Sequence, residues 1–351
     1  MEYYWKKKTI TSFVLAILVT LIHLDVSSKY LDVANGTGWG GVEVVRWLEF
    51  FFHEGIGVVA VPLFFVISGA TFFRNYHKGD YGKKLKTRLK SIAVPYFVWN
   101  ILTSLCYIVI WSTSLRYALG AEHEFMLTPD YLFKAIVLHD RIKAFWFIYN
   151  LMVFILLTLL FDFFLQKKWT TIVFALFLLS LPMYATDAMK PSGLWAIAPI
   201  YYFAGCIIGK YRFEEFAKER CKFSWGSLIG TVLCTVVLLI NASDDIITMP
   251  VVLRQIIVVA FTLFFWRLLD TLCHQVQEHG YMNHNFIIYA FHPFMQALIM
   301  KPFLILFPKT GWVALITYIT TGVMTIVLIA WMSEILKIKT PKIYYLLSGG
   351  R

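Results

Sequence analysis

Long apolar runs, interrupted by short charged segments, constrain this chain more than any other feature. Hydrophobic residues make up 59% of its 351 residues and charged residues only 15%, whereas soluble domains have about 45–50% and about 25%. Backbone groups in lipid must find their partners within a helix or a closed barrel. Because the apolar runs are continuous and do not alternate, they favour helices. The sequence predicts an all-α integral membrane protein.

Ten of the runs can each form a helix across about 30 Å of hydrocarbon. Cytoplasmic segments are rich in Lys and Arg, and placing both termini in the cytoplasm puts 22 of the 32 Lys and Arg residues on the inner side. The 113–143 loop is then external. We expect residues 1–351 to be a single membrane domain without a separate soluble domain. The predicted spans are 9–27, 56–76, 93–112, 144–165, 170–187, 194–210, 224–242, 250–270, 284–308 and 312–336.

A histidine stands inside the first apolar run. From Thr9 to Leu24 only His23 can carry a charge, and it lies roughly 22 Å along a helix from Lys8. An ionisable group at such depth is costly, so it indicates a functional site. The alternative is a structural histidine bonded to a neighbouring helix. A cleavable signal peptide ending near residues 26–28 is a further alternative, which would remove this histidine.

A second histidine lies in the ninth predicted span, beside a proline. Pro293 cannot donate to the Tyr289 carbonyl, so a polar acceptor is left next to His292. Counted along straight helices, His292 and His23 differ in depth by about 10 Å. We expect them to line one path at different levels. Alternatively, His292 only bonds the freed carbonyl.

Two further segments, one in the second predicted span and one rich in basic residues, have compositions that suggest a role. In the second span, Pro62 bends the helix, while Ser68 and Gly69 let another helix approach closely. The run from Lys83 to Lys90 holds five positive charges and precedes Val94-Pro95-Tyr96. Topology bias, anionic lipid or a polyanion such as the phosphates of coenzyme A would each account for that run.

Residues 43–54 form an amphipathic stretch on the predicted outer side. Glu43 and Glu49 share its polar face with Arg46, His53 and Glu54. A helix of this kind either floats at the headgroups or covers a site and offers carboxylates to a sugar.

Several functional classes lack support in the sequence. The five cysteines form no CxxC pair and read as packing residues, and no metal-binding cluster stands out. No phosphate-binding loop or GxSxG elbow is present, which argues against an ABC-type ATPase and a serine hydrolase. The net charge of +11 follows from the inner-side bias, so no nucleic-acid partner is expected.

Together these segments resemble the acyltransferase-3 family of integral membrane acyltransferases. The resemblance covers most of the chain and rests on the span-one histidine, PLFFVISG, the basic run before VPYF, Phe145-Trp146-Phe147 and Tyr289-Ala290-Phe291-His292. It implies a protein that moves an acyl group, often acetyl, from cytoplasmic acyl-CoA to a hydroxyl of a cell-surface glycan or another envelope molecule. It also implies a bacterial-type plasma membrane location, with no bound cofactor.

The resemblance implies roles for particular residues. His23 is the expected catalytic residue, whereas Ser12 occupies the position where the family carries an arginine. A base that takes the hydroxyl proton suits an imidazole, and a covalent acyl-histidine stays open. Asp25, Glu43 and Glu49 are candidates for the acceptor side. The expected acyl-CoA contacts are Lys86, Arg88, Lys90, Ser68, Trp146 and His292.

Two other classes remain open from the sequence. A proton-coupled transporter or flippase of a glycan precursor would also combine many spans with buried histidines, although no internal repeat stands out. A membrane sensor would use the basic run to bind lipid or a partner. The expected partners are acyl-CoA, a glycan or lipid-linked acceptor and membrane lipids.

Overall fold

Every regular element that the structure describes is a helix. The structure is a computed structural model and describes residues 1–30, 40–113, 128–184, 195–220, 222–243 and 249–350. The predicted all-α fold is confirmed. The α-helices are α1 (Glu2–Ile22), α2 (Gly41–Phe50), α3 (Ala60–Phe73), α4 (Tyr81–Trp111), α5 (Pro129–Ile136), α6 (Trp146–Leu156), α7 (Thr158–Phe164), α8 (Lys168–Tyr184), α9 (Ala198–Tyr211), α10 (Phe213–Ala217), α11 (Trp225–Ser243), α12 (Val251–Gln275), α13 (Asn285–Leu306), α14 (Gly311–Lys339) and α15 (Pro341–Ser348).

Among the described residues, seven helical segments are long and apolar enough to cross a membrane, and a bent pair adds an eighth. The chain is therefore a multi-pass membrane protein. The bent pair is α6 and α7, which meet at 63° within predicted span 144–165. Predicted spans 170–187 and 194–210 correspond to the shorter helices α8 and α9. The full set of ten spans and the cytoplasmic position of both termini stay predictions, and residues 114–127 of the predicted external loop lie outside the described residues.

The chain contacts divide into two compact units. The first contains Met1–Asn75 and Ile200–Lys339, and the second contains Tyr76–Pro199 and Thr340–Arg351. In the first unit, α1 packs against α3, α12 and α13. Leu15, Ala16 and Val19 of α1 are buried, so the middle of this helix belongs to the apolar core. The packing of α1 therefore fixes which residues lie next to its C-terminal end.

The amphipathic stretch 43–54 is continuous with the helix that follows it. Gly41–Phe73 is one candidate span, in which α2 continues through a π-type turn, Phe51–Gly55, and a 3₁₀ turn, Ile56–Val59, into α3. Val42 and Val45 are buried in a cluster with Ala314 and Tyr318 of α14. Val44, Trp47 and Phe51 on the same stretch are exposed, so its apolar face is buried only in part, and both interpretations of this stretch stay predictions.

In the first unit, α3 and α9 cross at close distance. A Cβ on Gly69 would lie 2.4 Å from the Tyr202 carbonyl oxygen, and one on Gly205 would lie 2.3 Å from the Val66 carbonyl oxygen. Each glycine thus leaves room for the backbone of the other helix. The predicted close approach at Gly69 is confirmed, with α9 as the partner.

The second unit is organised by the 31-residue helix α4, which contacts α5, α6 and α15. Tyr96 donates a hydrogen bond to the Val137 carbonyl oxygen at 2.6 Å, and Trp99 Nε1 donates to the Leu347 carbonyl oxygen at 3.1 Å. These bonds satisfy carbonyls at helix ends, where the helix itself offers no partner.

Candidate active site

His23 lies at the C-terminal end of α1, in the first unit. The helix ends at Ile22, and His23 is its cap residue. Its ring nitrogen Nδ1 lies 2.9 Å from the Val19 carbonyl oxygen, one turn back on the same helix. The His23 side chain is exposed. The imidazole is thus accessible, and its hydrogen-bond partner belongs to its own helix. The alternative of a structural histidine bonded to a neighbouring helix does not describe this contact.

His292 lies on α13 and is completely buried. Its Nδ1 lies 2.8 Å from the Tyr289 carbonyl oxygen, the acceptor that Pro293 leaves without a helix partner. The expected local partner of His292 is therefore confirmed. Its other nitrogen, Nε2, is buried without a hydrogen-bond partner among the described residues. Such a group costs free energy unless a ligand or water satisfies it.

The two imidazoles are neighbours. Their ring centroids are 5.1 Å apart, with an angle of 58° between the ring planes. The predicted depth difference of about 10 Å is therefore wrong. The estimate assumed that both helices start at the same level, but the 3₁₀ turn before α13 packs beside the middle of α1. There, Met282 lies in a buried cluster with Ile10, so α13 starts well along α1.

The hydrogen bonds fix the chemical character of both rings. A carbonyl oxygen can only accept, so Nδ1 of each ring carries the hydrogen, and Nε2 of a neutral ring holds a lone pair. The site therefore contains two adjacent imidazoles whose free nitrogens can both take a proton. Gln296, one turn beyond His292, donates to the Thr20 carbonyl oxygen at 2.6 Å. This bond ties α13 to α1 beside the histidine pair.

His53 and Glu54, which the sequence placed only on the polar face of residues 43–54, form a polar group with Arg254. His53 Nδ1 lies 2.8 Å from Glu54 Oε1, and Glu54 Oε2 lies 3.9 Å from an Arg254 nitrogen. The π-type turn that carries His53 packs against α1, the helix that ends before His23. His53 and Glu54 belong to the π-type turn, an element that is frequent at functional sites. The sequence could have indicated this group through Arg254, because an ionisable residue inside a predicted span marks a candidate functional site.

A glycine allows this turn to approach the end of α1. A Cβ on Gly57 would lie 2.0 Å from the Phe52 carbonyl oxygen and 2.6 Å from a side-chain carbon of Ile22. Any larger residue would push the π-type turn away from Ile22, the residue before His23. Gly57 therefore helps to set the distance between His23 and the group around His53.

The three acidic candidates have other partners in the structure. Asp25 accepts from the Ser28 hydroxyl at 2.7 Å. Glu49 accepts from the backbone amides of Val26 and Ser27 at 2.7 and 3.0 Å and from the Ser27 hydroxyl. Glu49 thus holds the turn that follows His23. Glu43 pairs with Arg46 at 3.3 Å, so none of the three orients the imidazole directly.

The predicted donor-binding residues are distributed over both units. Ser68 is half-buried on α3 of the first unit. In the second unit, Trp146 begins α6 and stacks on Trp195 with ring centroids 4.5 Å apart. Lys86, Arg88 and Lys90 lie on the continuous helix α4. Residues four apart share a helix face and residues two apart do not, so the first and third of these cations lie together and Arg88 points elsewhere.

One of three comparisons with known proteins identifies a family for this chain. No curated protein and no solved structure matches the chain. Residues 13–334 match the acyltransferase domain of the acyltransferase-3 family. The matched region contains both histidines of the pair and the polar group around Arg254. Since it spans most of the chain, this membrane protein belongs to the acyltransferase-3 family of acyltransferases.

Proposed function

We propose that this acyltransferase moves an acyl group, typically acetyl, from cytoplasmic acyl-CoA to a hydroxyl of a cell-surface glycan or another envelope molecule. Its proposed location is the bacterial plasma membrane. One observation carries the proposal: His23 has one nitrogen held by its own helix and the other free on an exposed ring. A nitrogen so oriented is suited to receive a proton from a substrate.

The proposed reaction has balanced proton and bond changes. The acceptor hydroxyl gives its proton to Nε2 of His23 while its oxygen attacks the thioester carbonyl carbon. The new C–O ester bond forms and the C–S bond breaks. The proton returns from His23 to the leaving thiolate, which becomes free coenzyme A. No other co-reactant is needed.

His292 has a different proposed role, because it is buried and its Nε2 is free. In the neutral ring this nitrogen accepts a hydrogen bond and cannot donate one. The arm of acyl-CoA carries amide N–H groups that would satisfy it. We assign His292 to the acyl-CoA path and His23 to the acceptor proton. Lys86, Arg88 and Lys90 are proposed to attract the donor's phosphates, and Ser68 and Trp146 to line its path.

Asp25, Glu43 and Glu49 stay proposals for the acceptor side. Glu49 has the most direct structural connection, because its carboxylate holds the backbone of the turn after His23. Its role would then be to position the histidine. The polar group formed by His53, Glu54 and Arg254 is added to this side, because Glu54 lies between the other two side chains.

The experiment uses purified protein in lipid nanodiscs with acetyl-CoA labelled in the acetyl group. The wild-type protein should bind it saturably and release free coenzyme A slowly in the absence of an acceptor. Mass spectrometry of envelope glycans from a deletion strain, with and without the restored gene, identifies the acceptor. If the protein neither binds nor cleaves acetyl-CoA and the glycans are unchanged, the proposal fails and a transporter becomes the better interpretation.

A further inference from the structure

A cationic cavity lies in the first unit, apart from the histidine pair. Its volume is about 360 Å³, and it is lined by the end of α9, the short helix α10, the segment after it and the C-terminal half of α12. Two lining residues are acidic, Glu215 and Asp270. Four lining residues are cationic: Arg212, Lys218, Arg220 and Arg267.

Both carboxylates of the cavity are already engaged. Glu215 pairs with Arg212 at 2.8 Å. Asp270 pairs with the buried Lys7 at 2.6 Å and accepts from the Tyr3 hydroxyl at 2.5 Å. Within the ranges that the structure describes, this leaves Lys218, Arg220 and Arg267 without a carboxylate partner. Three cations around one cavity repel each other unless an anion enters.

The walls of the cavity are fixed in position. Trp266 Nε1 donates to the Phe216 carbonyl oxygen at 3.0 Å, and the two rings stack at 4.4 Å. Lys7 Nζ lies 4.0 Å from the centroid of the Trp266 ring. His274 Nε2 lies 3.2 Å from the Arg220 carbonyl oxygen. These contacts tie the segment that carries two of the cations to α12, so little ordering remains to be done when a ligand binds.

We propose that this cavity binds the phosphate groups of an anionic ligand through Lys218, Arg220 and Arg267. Guanidinium groups match phosphate oxygens in paired hydrogen bonds, and a lysine adds a point charge. Two sources supply the same chemistry: a soluble nucleotide that bears phosphates, and the headgroup of an anionic phospholipid. The proposal needs only the phosphate, so it stands or falls separately from the proposed acyl transfer.

The test measures binding of two probes to the full-length protein purified in a neutral detergent. Adenosine 3′,5′-bisphosphate is titrated by calorimetry, and retention of phosphatidylglycerol is followed by native mass spectrometry. The variant K218Q/R220Q/R267Q should weaken binding of at least one probe by about tenfold or more, or roughly 1.4 kcal/mol. The control K337Q/K339Q/K342Q removes the same charge from exposed lysines and should bind both probes as the wild type does.

The pattern of losses identifies the source of the phosphate. Loss of the bisphosphate alone indicates a soluble nucleotide, and loss of the lipid alone indicates a headgroup. The proposal is overturned if the wild type binds neither probe, or if the triple variant binds both unchanged. Should the triple variant not fold, R267Q alone decides, because Arg267 is exposed. It should bind the sensitive probe more weakly than R267K, and equal affinity of the two would overturn the proposal.

Discussion

His23 and His292 lie with their imidazole centroids 5.1 Å apart, and each ring donates from Nδ1 to a carbonyl oxygen of its own helix. The two free nitrogens differ in setting, because the His23 ring is exposed and the His292 ring is buried. A proton that arrives from outside reaches His23 first. This difference in accessibility is the physical basis for giving the two residues different roles.

Replacing His23 by alanine or glutamine should abolish acyl transfer while the protein still folds and binds acyl-CoA. Loss of a general base costs about 10²–10⁴ in rate. The measurement is release of coenzyme A and transfer of labelled acetyl to the acceptor, beside binding of acetyl-CoA. His77→Gln, which removes an exposed histidine elsewhere, is the control. Near-wild-type turnover in both His23 variants would remove this residue from the mechanism.

Replacing His292 by glutamine should reduce acyl-CoA hydrolysis and acceptor acylation by similar factors. The Nε2 lone pair of His292 is proposed to contact the donor, and both reactions use the same bound donor. The two rates are measured in one preparation, with His279→Gln as the control at an exposed position. If hydrolysis is preserved and only transfer to the acceptor is lost, His292 belongs to the acceptor side.

Replacing Lys86 and Lys90 together by glutamine should weaken acyl-CoA binding and reduce its dependence on salt. The two residues share a face of α4, and both are exposed, so salt screens their attraction for phosphates. K167Q/K168Q, which removes the same charge from two exposed lysines elsewhere in the chain, is the matched control. Binding that is unchanged in a correctly inserted K86Q/K90Q variant would favour the lipid-anchoring interpretation of this run.

Both termini should be cytoplasmic, as the distribution of Lys and Arg indicates. A cysteine at Lys309, between α13 and α14, should then react with an impermeant reagent in intact cells, and one at Lys337 should not. Both positions are exposed, and the natural cysteines are first replaced by alanine. The opposite labelling pattern would invert the topology and exchange the sides from which donor and acceptor arrive.

The sequence was sufficient for the features that depend on local chemistry. Continuous apolar runs predicted the helical membrane fold, and Pro293 predicted the carbonyl partner of His292. Gly69 predicted a close helix crossing. Each of these follows from a residue's effect on its own helix or on a partner backbone, so no knowledge of the tertiary arrangement was needed.

The features that the sequence did not reveal depend on how helices are staggered. The level of His292 relative to His23 is set by packing of Met282 near Ile10, which no count along one helix can give. The π-type turn that places His53 and Glu54 is likewise a product of packing. Lys7 was one of the 22 cations that the sequence placed on the inner side, and periodicity alone could not show that it is buried.

The pair Lys7–Asp270 should be required for stability, and its two residues should be strongly coupled. Both side chains are nearly fully buried, at 2% and 5% exposure. Removing one partner of a buried ion pair leaves the other uncompensated, which costs about 3–5 kcal/mol. Lys7→Met and Asp270→Leu should therefore each lower the unfolding midpoint in detergent. The double variant K7M/D270L should lose less stability than the two single losses added together, because neither charge is left alone.

The control is K339Q, at an exposed position. Additive losses in the double-mutant cycle, or single variants as stable as the wild type, would show that this ion pair does not hold α1 to α12.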